Sequence, residues 1–339
     1  MSPKTYAALL AFLMIAVMIY PVTGQEEYEG LEWNRRIPFL GAQPTIVLLV
    51  QFTDVKLTIS KAQAEQLVKT LDDFIRKASY GRTWLEYTIH PKVITLPKPM
   101  SYYGAPPPGA QYGDDWNKIM QFHLTVIELA KRDGIDFTRY KHVITIHAGK
   151  EESVDGSAND IWAHCFNSKD IYLLVDKYGL EAAEKIYRKS DWGVMWDALV
   201  HKDSAGKAHI LAGILTVAEV TNTGMMNHEF THSMWVFDQY VYGKDGYQSA
   251  SETGVWTNMD YGPFFDPPVD IDGWSKYLLG WVEAVTVEKD GEYTIHTLDK
   301  SDEPHGLIIP INDKEYYFIH ARRPVKSDAA LPGPGVLVM

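Results

Sequence analysis

The residues with the clearest chemical potential are two histidines that flank a glutamate in the segment HEFTH. Positions four apart lie one turn apart on the same face of an α-helix, so His228 and His232 can reach one tetrahedral zinc ion. Glu229 stands beside them, where a carboxylate can take a proton from a water that zinc has acidified. We interpret the two histidines as zinc ligands and Glu229 as the general base.

A catalytic zinc site takes a third protein ligand and keeps a fourth position open. Asp238, six residues beyond His232, would reach the metal if the chain left the helix through a sharp turn. Glu252, twenty residues beyond His232, would reach it if a second helix packed behind the first. The spacing alone leaves both carboxylates open.

The elements that position this motif follow from hydrophobic periodicity. Buried strands are predicted at 45–52 and 142–148, a strand pair at 83–89 and 92–96, and helices at 61–78, 116–132 and 181–187. Thr223 is expected to cap the zinc helix, which should run to about Val236. Residues 97–113, rich in proline and glycine, are expected to form a long surface loop. This order predicts an α/β (α+β) fold with a mixed sheet.

The chain is predicted to divide into four segments. Lys4 followed by an uncharged apolar run predicts a signal peptide at 1–24, with an uncleaved membrane anchor as the alternative. A short lead at 25–39 precedes a catalytic domain at 40–282. A β-rich segment at 283–339 follows, with strands expected at 284–287, 292–298, 307–311, 316–321 and 335–339, and we expect it to be truncated because it stops inside an apolar run.

Composition excludes several classes of partner. A net charge of −12 without a basic patch disfavours nucleic acids and anionic lipid surfaces. The single cysteine, Cys165, permits no intrachain disulfide and is expected to be a small buried residue. The oligomeric state does not follow from the sequence.

The chain resembles the immune inhibitor A family of secreted metallopeptidases from about residue 40 to its end. Asp238 and Tyr240 stand where this family has an aspartate and a tyrosine after the zinc helix. Further landmarks are Phe52-Thr53-Asp54, Ser79-Tyr80-Gly81, Asp136-Phe137, His147-Ala148-Gly149, Ile161-Trp162-Ala163-His164, Trp256-Thr257-Asn258-Met259, Gly262, Pro268, Trp274-Ser275-Lys276 and Leu279-Gly280-Trp281.

The resemblance implies a zincin fold, Asp238 as the third ligand, and Met259 in a turn beneath the metal. Thr231 and Trp235 depart from the family, which has glycine at both positions. A tryptophan cannot take a positive φ without strain. We therefore expect either a longer helix before Asp238 returns, or Glu252 as the ligand.

Two further sites are expected. Tyr261, with Tyr240 behind it, is the candidate donor to the oxyanion of the transition state. Asp266, Asp270 and Asp272 are candidates for a structural Ca²⁺ site, or form a solvated acidic loop.

The expected protein is a secreted zinc endopeptidase that acts on polypeptides. A catalytically silent secreted binding domain on the same scaffold is the alternative, and a metal-dependent hydrolase of sugar or phosphate esters is a third possibility.

Overall fold

The structure is a computed structural model that describes residues 25–110, 113–242, 248–300 and 303–339. The predicted signal peptide lies outside the described residues. None of the helices within these ranges is long and apolar enough to cross a membrane.

The described chain contains both helices and strands. The helices are α1 (Gln25–Tyr28), α2 (Lys61–Ala78), α3 (Met100–Gly104), α4 (Trp116–Arg132), α5 (Glu152–Asp155), α6 (Lys169–Tyr178), α7 (Leu180–Tyr187), α8 (Trp196–Leu199), α9 (Thr223–Ser233) and α10 (Gly273–Leu278). The strands are β1 (Gly41–Gln51), β2 (Thr83–Thr95), β3 (His142–His147), β4 (His164–Asn167), β5 (Val200–Lys202), β6 (Ala208–Ile210), β7 (Gly213–Ala218), β8 (Tyr240–Tyr242), β9 (Gln248–Ser251), β10 (Ala284–Thr286), β11 (Gly306–Pro310), β12 (Tyr316–Arg322) and β13 (Gly335–Val338).

The main sheet has five strands in the order β2-β1-β3-β7-β4. The first four are mutually parallel, and β4 runs antiparallel to β7 at the edge. Strands β3 and β7 are buried along their whole length, as expected for apolar, β-branched runs inside a parallel sheet with both faces covered.

Helices cover both faces of this sheet because successive strand residues point to opposite sides. One core, which includes Val47, Ile144 and Leu215, packs against α2 and α9. The other, which includes Leu48 and Val143, packs against α4 and α6. The chain is therefore a mixed α/β protein, and α9 packs on β4 and β7 with α2 beside it on the same face of the sheet.

Helices α2 and α4 have the predicted bounds, but the predicted strand pair at 83–96 is wrong. One continuous strand, β2, runs parallel to β1 across it, with a register shift between Val47 and Leu49. Pro91 lies opposite this shift, where its missing N–H interrupts no ladder hydrogen bond. Inside the predicted loop at 97–113 the chain forms α3.

A second sheet, β10-β11-β12-β13, contains four of the predicted C-terminal strands. The fifth, at 292–298, is not a strand in the described chain, where only Thr297 forms an isolated bridge, to Ala321. Helix α10 packs directly on this sheet: a Cβ at Gly273 would lie 2.6 Å from the His320 ring.

Candidate metal centre

Helix α9 carries the HEFTH motif. Its N-cap is Asn222, whose side chain accepts a hydrogen bond from the Met225 amide at 2.8 Å, so the prediction of Thr223 as the cap is off by one residue. Phe230 is fully buried against the sheet and fixes which face of α9 points away from it. The helix ends at Ser233 rather than near Val236.

Helix α9 ends early because Trp235 has a left-handed φ of 71°. Such a conformation costs a bulky residue about 1–3 kcal/mol. The surroundings offset this cost: the indole N–H donates to the Ala212 carbonyl at 2.9 Å, and the ring meets Phe39 edge-on at 5.1 Å. Lys169 also donates to the Trp235 carbonyl at 3.3 Å. The expectation that a tryptophan would prevent a sharp turn here is wrong, because packing holds it there.

The sharp turn returns Asp238 to the two histidines. The Nε2 atoms of His228 and His232 are 3.0 Å apart, and Oδ1 of Asp238 lies 3.2 Å and 3.1 Å from them. All three side chains are at most 12% exposed. Among the described residues this is the one group of three potential ligands that could hold a metal ion. Glu252 is exposed and does not belong to it.

The hydrogen bonds of the imidazoles leave the converging nitrogens free to bind a cation. His228 directs Nδ1 to the carbonyl of Asn258 at 2.8 Å, and His232 directs Nδ1 to the carbonyl of Val236 at 2.7 Å. A carbonyl only accepts, so each Nδ1 carries a proton, and each Nε2 presents a lone pair when the imidazole is neutral. Tetrahedral zinc with bonds of about 2.0–2.1 Å spaces its ligands about 3.3 Å apart, and the observed separations fit this value.

The electrostatics of the site favour a charged Asp238. Burial opposes its ionisation, but His232 and the hydrogen bonds from both histidines outweigh burial and hold the pKa of Asp238 well below its usual range. The same carboxylate raises the pKa of His232 against the effect of burial. Burial raises the pKa of Glu229 to about 8, opposed by His228 and aided by the negative charges of Asp238 and Glu151.

Two tyrosines of β8 lie next to the carboxylate of Asp238. The hydroxyl of Tyr242 donates to Oδ2 of Asp238, and the hydroxyl of Tyr240 lies 3.2 Å from that of Tyr242. Burial and the charge of Asp238 raise the pKa of both phenols above the ordinary value. Tyr242 is not among the site residues predicted from the sequence. Its position two residues after Tyr240 on a strand, which places both on one face, is the signal that could have identified it.

Tyr261 stands apart from this group. It is 43% exposed, its ring lies 6.4 Å from that of Phe264, and its hydroxyl makes no hydrogen bond to another described residue. Tyr240, the second candidate, interacts electrostatically with both Asp238 and Glu229. The geometry therefore favours Tyr240 over Tyr261 as a hydrogen-bond donor near the ligands.

The turn that contains Met259 contacts the residues of the candidate metal centre. Met259 is fully buried in the same core as Phe230, and its carbonyl accepts from the Gln239 amide at 2.9 Å. Its neighbour Asn258 supplies the carbonyl that orients His228. This turn therefore fixes both a ligand and the chain beside Asp238.

The three aspartates considered for calcium do not form a ligand group in the described chain. Asp270 binds Lys276 Nζ at 2.8 Å, while Asp272 caps α10 and accepts from Gln239 at 2.7 Å. Asp266 is exposed. The buried carboxylates of this set are satisfied by protein donors.

Comparison of the chain with models of known protein families found no matching family, and comparison with curated proteins found no match. The chemistry of the site is therefore inferred from the residues themselves.

Proposed function

We propose that the chain is a zinc-dependent endopeptidase that hydrolyses polypeptides by attack of water, with Glu229 as general base. The observation that carries this proposal is the convergence of His228 Nε2, His232 Nε2 and Asp238 Oδ1 beside a buried glutamate. A secreted location and a zincin fold, both expected from the sequence, belong to the same proposal.

The donor set favours zinc over the other common ions. Two neutral imidazoles and one carboxylate form a three-ligand set of the kind found in catalytic zinc sites. Calcium and magnesium prefer shells made of oxygen, with six to eight ligands for calcium. Zinc bound by these three side chains would supply Lewis acidity, which acidifies water and polarises a peptide carbonyl.

Glu229 is the residue placed to move the proton. It directly follows His228 on α9, so its carboxylate lies beside the ligands rather than among them. Burial favours its protonated form, whereas a cation held by the three ligands would favour the carboxylate, which is the form that accepts a proton from attacking water. Tyr240, whose hydroxyl lies 3.2 Å from that of Tyr242, would turn its one proton away from Tyr242 and donate it to the oxyanion that develops at the carbonyl.

The test compares the unchanged full chain with Glu229→Gln and Glu229→Ala. We expect about one zinc per chain in all three, by elemental analysis, and a loss of casein hydrolysis of roughly 10²–10⁴-fold in both variants. Bound zinc with equally negligible hydrolysis in all three would favour the silent binding domain. Absence of bound zinc in the unchanged chain would exclude the zinc-dependent peptidase.

A further inference from the structure

Asp238 uses its two oxygens for different partners. Oδ1 faces both histidine nitrogens at 3.1 Å and 3.2 Å, while Oδ2 accepts the hydrogen bond from Tyr242. Resting on the proposed metal site, we propose that Tyr242 is a positioning residue that holds Asp238 as a ligand through one oxygen and keeps the fourth coordination position open.

Proton counting gives the direction of the hydrogen bonds. A phenol has one proton, and an ionised carboxylate can only accept. Tyr242 therefore gives its proton to Asp238, and its oxygen accepts the proton of Tyr240, 3.2 Å away. The chain of donors runs from Tyr240 through Tyr242 to Asp238, so Tyr242 orients its neighbour as well as the carboxylate.

The backbone explains why the two phenols stay together. Tyr240 and Tyr242 are on the same face of β8, with ring centroids 5.1 Å apart. Strand β9 pairs with β8 through Ser251 opposite Tyr240, with a register shift beside Tyr242. The Tyr242 residue is 39% exposed, and its hydroxyl bonds both Asp238 and Tyr240.

Without the hydroxyl of Tyr242, Oδ2 would have two alternatives. The carboxylate could rotate, which weakens its bond to the cation, or it could bind through both oxygens, which occupies the position needed for water. Hydrogen-bond partners of metal ligands typically change metal affinity or activity by about 10–100-fold when they are removed.

The experiment compares Tyr242→Phe with Tyr240→Phe and Tyr293→Phe in the full chain. Tyr293→Phe is a matched control, because its hydroxyl binds the carbonyl of Lys289, outside the ligand group. Zinc affinity is measured by competition with a chromophoric chelator, and the ligand field by the visible spectrum of the Co²⁺-substituted protein. Thermal unfolding is measured without metal.

We expect Tyr242→Phe to bind zinc about 10–100-fold more weakly and to show an altered Co²⁺ spectrum, with unfolding of the metal-free protein unchanged. Tyr293→Phe should retain the affinity of the unchanged chain, and Tyr240→Phe should weaken zinc binding less than Tyr242→Phe does, because Tyr242 donates directly to Oδ2 of Asp238.

Equal zinc affinity and equal Co²⁺ spectra in Tyr242→Phe and the unchanged chain would overturn the inference while leaving the proposed function intact. A loss of affinity matched by unfolding of the metal-free variant would also overturn it, since Tyr242 would then be a general structural residue. An unchanged chain that binds neither metal would overturn both proposals.

Discussion

At the scale of single residues, the direction of each imidazole is set by a backbone carbonyl. Asn258 and Val236 each accept from one Nδ1, which leaves Nε2 of His228 and His232 facing Asp238. Such outer hydrogen bonds fix the tautomer as well as the ring orientation. The carboxylate that the two histidines face, that of Asp238, is therefore the one we propose as the third ligand.

Asp238→Asn and Glu252→Gln provide a direct test of that ligand. Both changes remove one negative charge, but only Asp238 lies within 3.2 Å of the histidine nitrogens. We expect Asp238→Asn to weaken zinc binding by at least about tenfold and Glu252→Gln to leave it unchanged, measured by chelator competition. The reverse order of the two affinities would make Glu252 the ligand.

At the scale of elements, the end of α9 determines the site. The helix could continue only if Trp235 kept a helical φ, and that would carry Asp238 away from the histidines. The packed indole of Trp235, with its hydrogen bond to Ala212, holds the turn instead.

Alanine usually gives a more stable variant than glycine, and we expect the reverse order of stability at position 235. Both variants lose a buried aromatic side chain, a change that costs about 3–5 kcal/mol. Alanine keeps the strain of a positive φ and glycine does not, so we expect Trp235→Gly to be about 1 kcal/mol more stable than Trp235→Ala. Urea unfolding measures this difference, and an alanine variant at least as stable as the glycine variant would contradict it.

At the scale of the whole molecule, the C-terminal sheet is joined to the turn that contains Met259, next to the candidate metal centre. The guanidinium of Arg322 on β12 is buried and binds Asp328, the Asp270 carbonyl at 3.1 Å and the Trp256 carbonyl. Trp256 begins the turn that leads to Met259. The two parts of the chain therefore share a buried charged contact.

Removal of the Arg322 charge should lower the stability of the folded chain. Arg322→Met leaves Asp328 buried without its partner, for which we expect a loss of about 3–5 kcal/mol in the free energy of unfolding. Adding Asp328→Asn should recover part of the loss, because the uncompensated charge disappears. Arg132→Met, which breaks an exposed pair with Glu128, is the control and should cost less than about 1 kcal/mol. Equal effects of the two arginine variants would argue against the buried contact.

Buried histidines should make stability depend on pH. Burial lowers the pKa of His142 to about 3 and of His147 and His164 to about 4, so the folded chain keeps them neutral. Because the unfolded chain binds these protons near pH 6.5, each histidine's contribution is present above that pH and is lost progressively below it, until the folded pKa is reached. Asp114, whose pKa burial raises to about 8, acts in the opposite direction.

The variant His142→Gln tests how much one of these histidines contributes to the pH dependence of stability. Between pH 6 and pH 5 the unchanged chain should lose about 1 kcal/mol more stability than the variant, measured by urea unfolding with a chelator present so that metal release does not contribute. Identical changes in stability over this interval would show that His142 is protonated in the folded protein.

Patterns that depend on nearby residues were readable from the sequence. Periodic apolar positions determined α2 and α4, β-branched runs determined the centres of β1 and β3, and four-residue spacing put His228 and His232 on one helical face. In each case the signal and the structure lie within the same few turns or strand residues.

The tertiary structure decided what depends on distant residues. The left-handed Trp235 rests on Ala212 and Phe39, so no local pattern could reveal it, and only this turn brings Asp238 rather than Glu252 to the histidines. Strand β2 is continuous because it pairs with β1 on both sides of Pro91. Local propensity fixes where a helix can form, whereas contacts between remote segments fix where it stops and which carboxylate it meets.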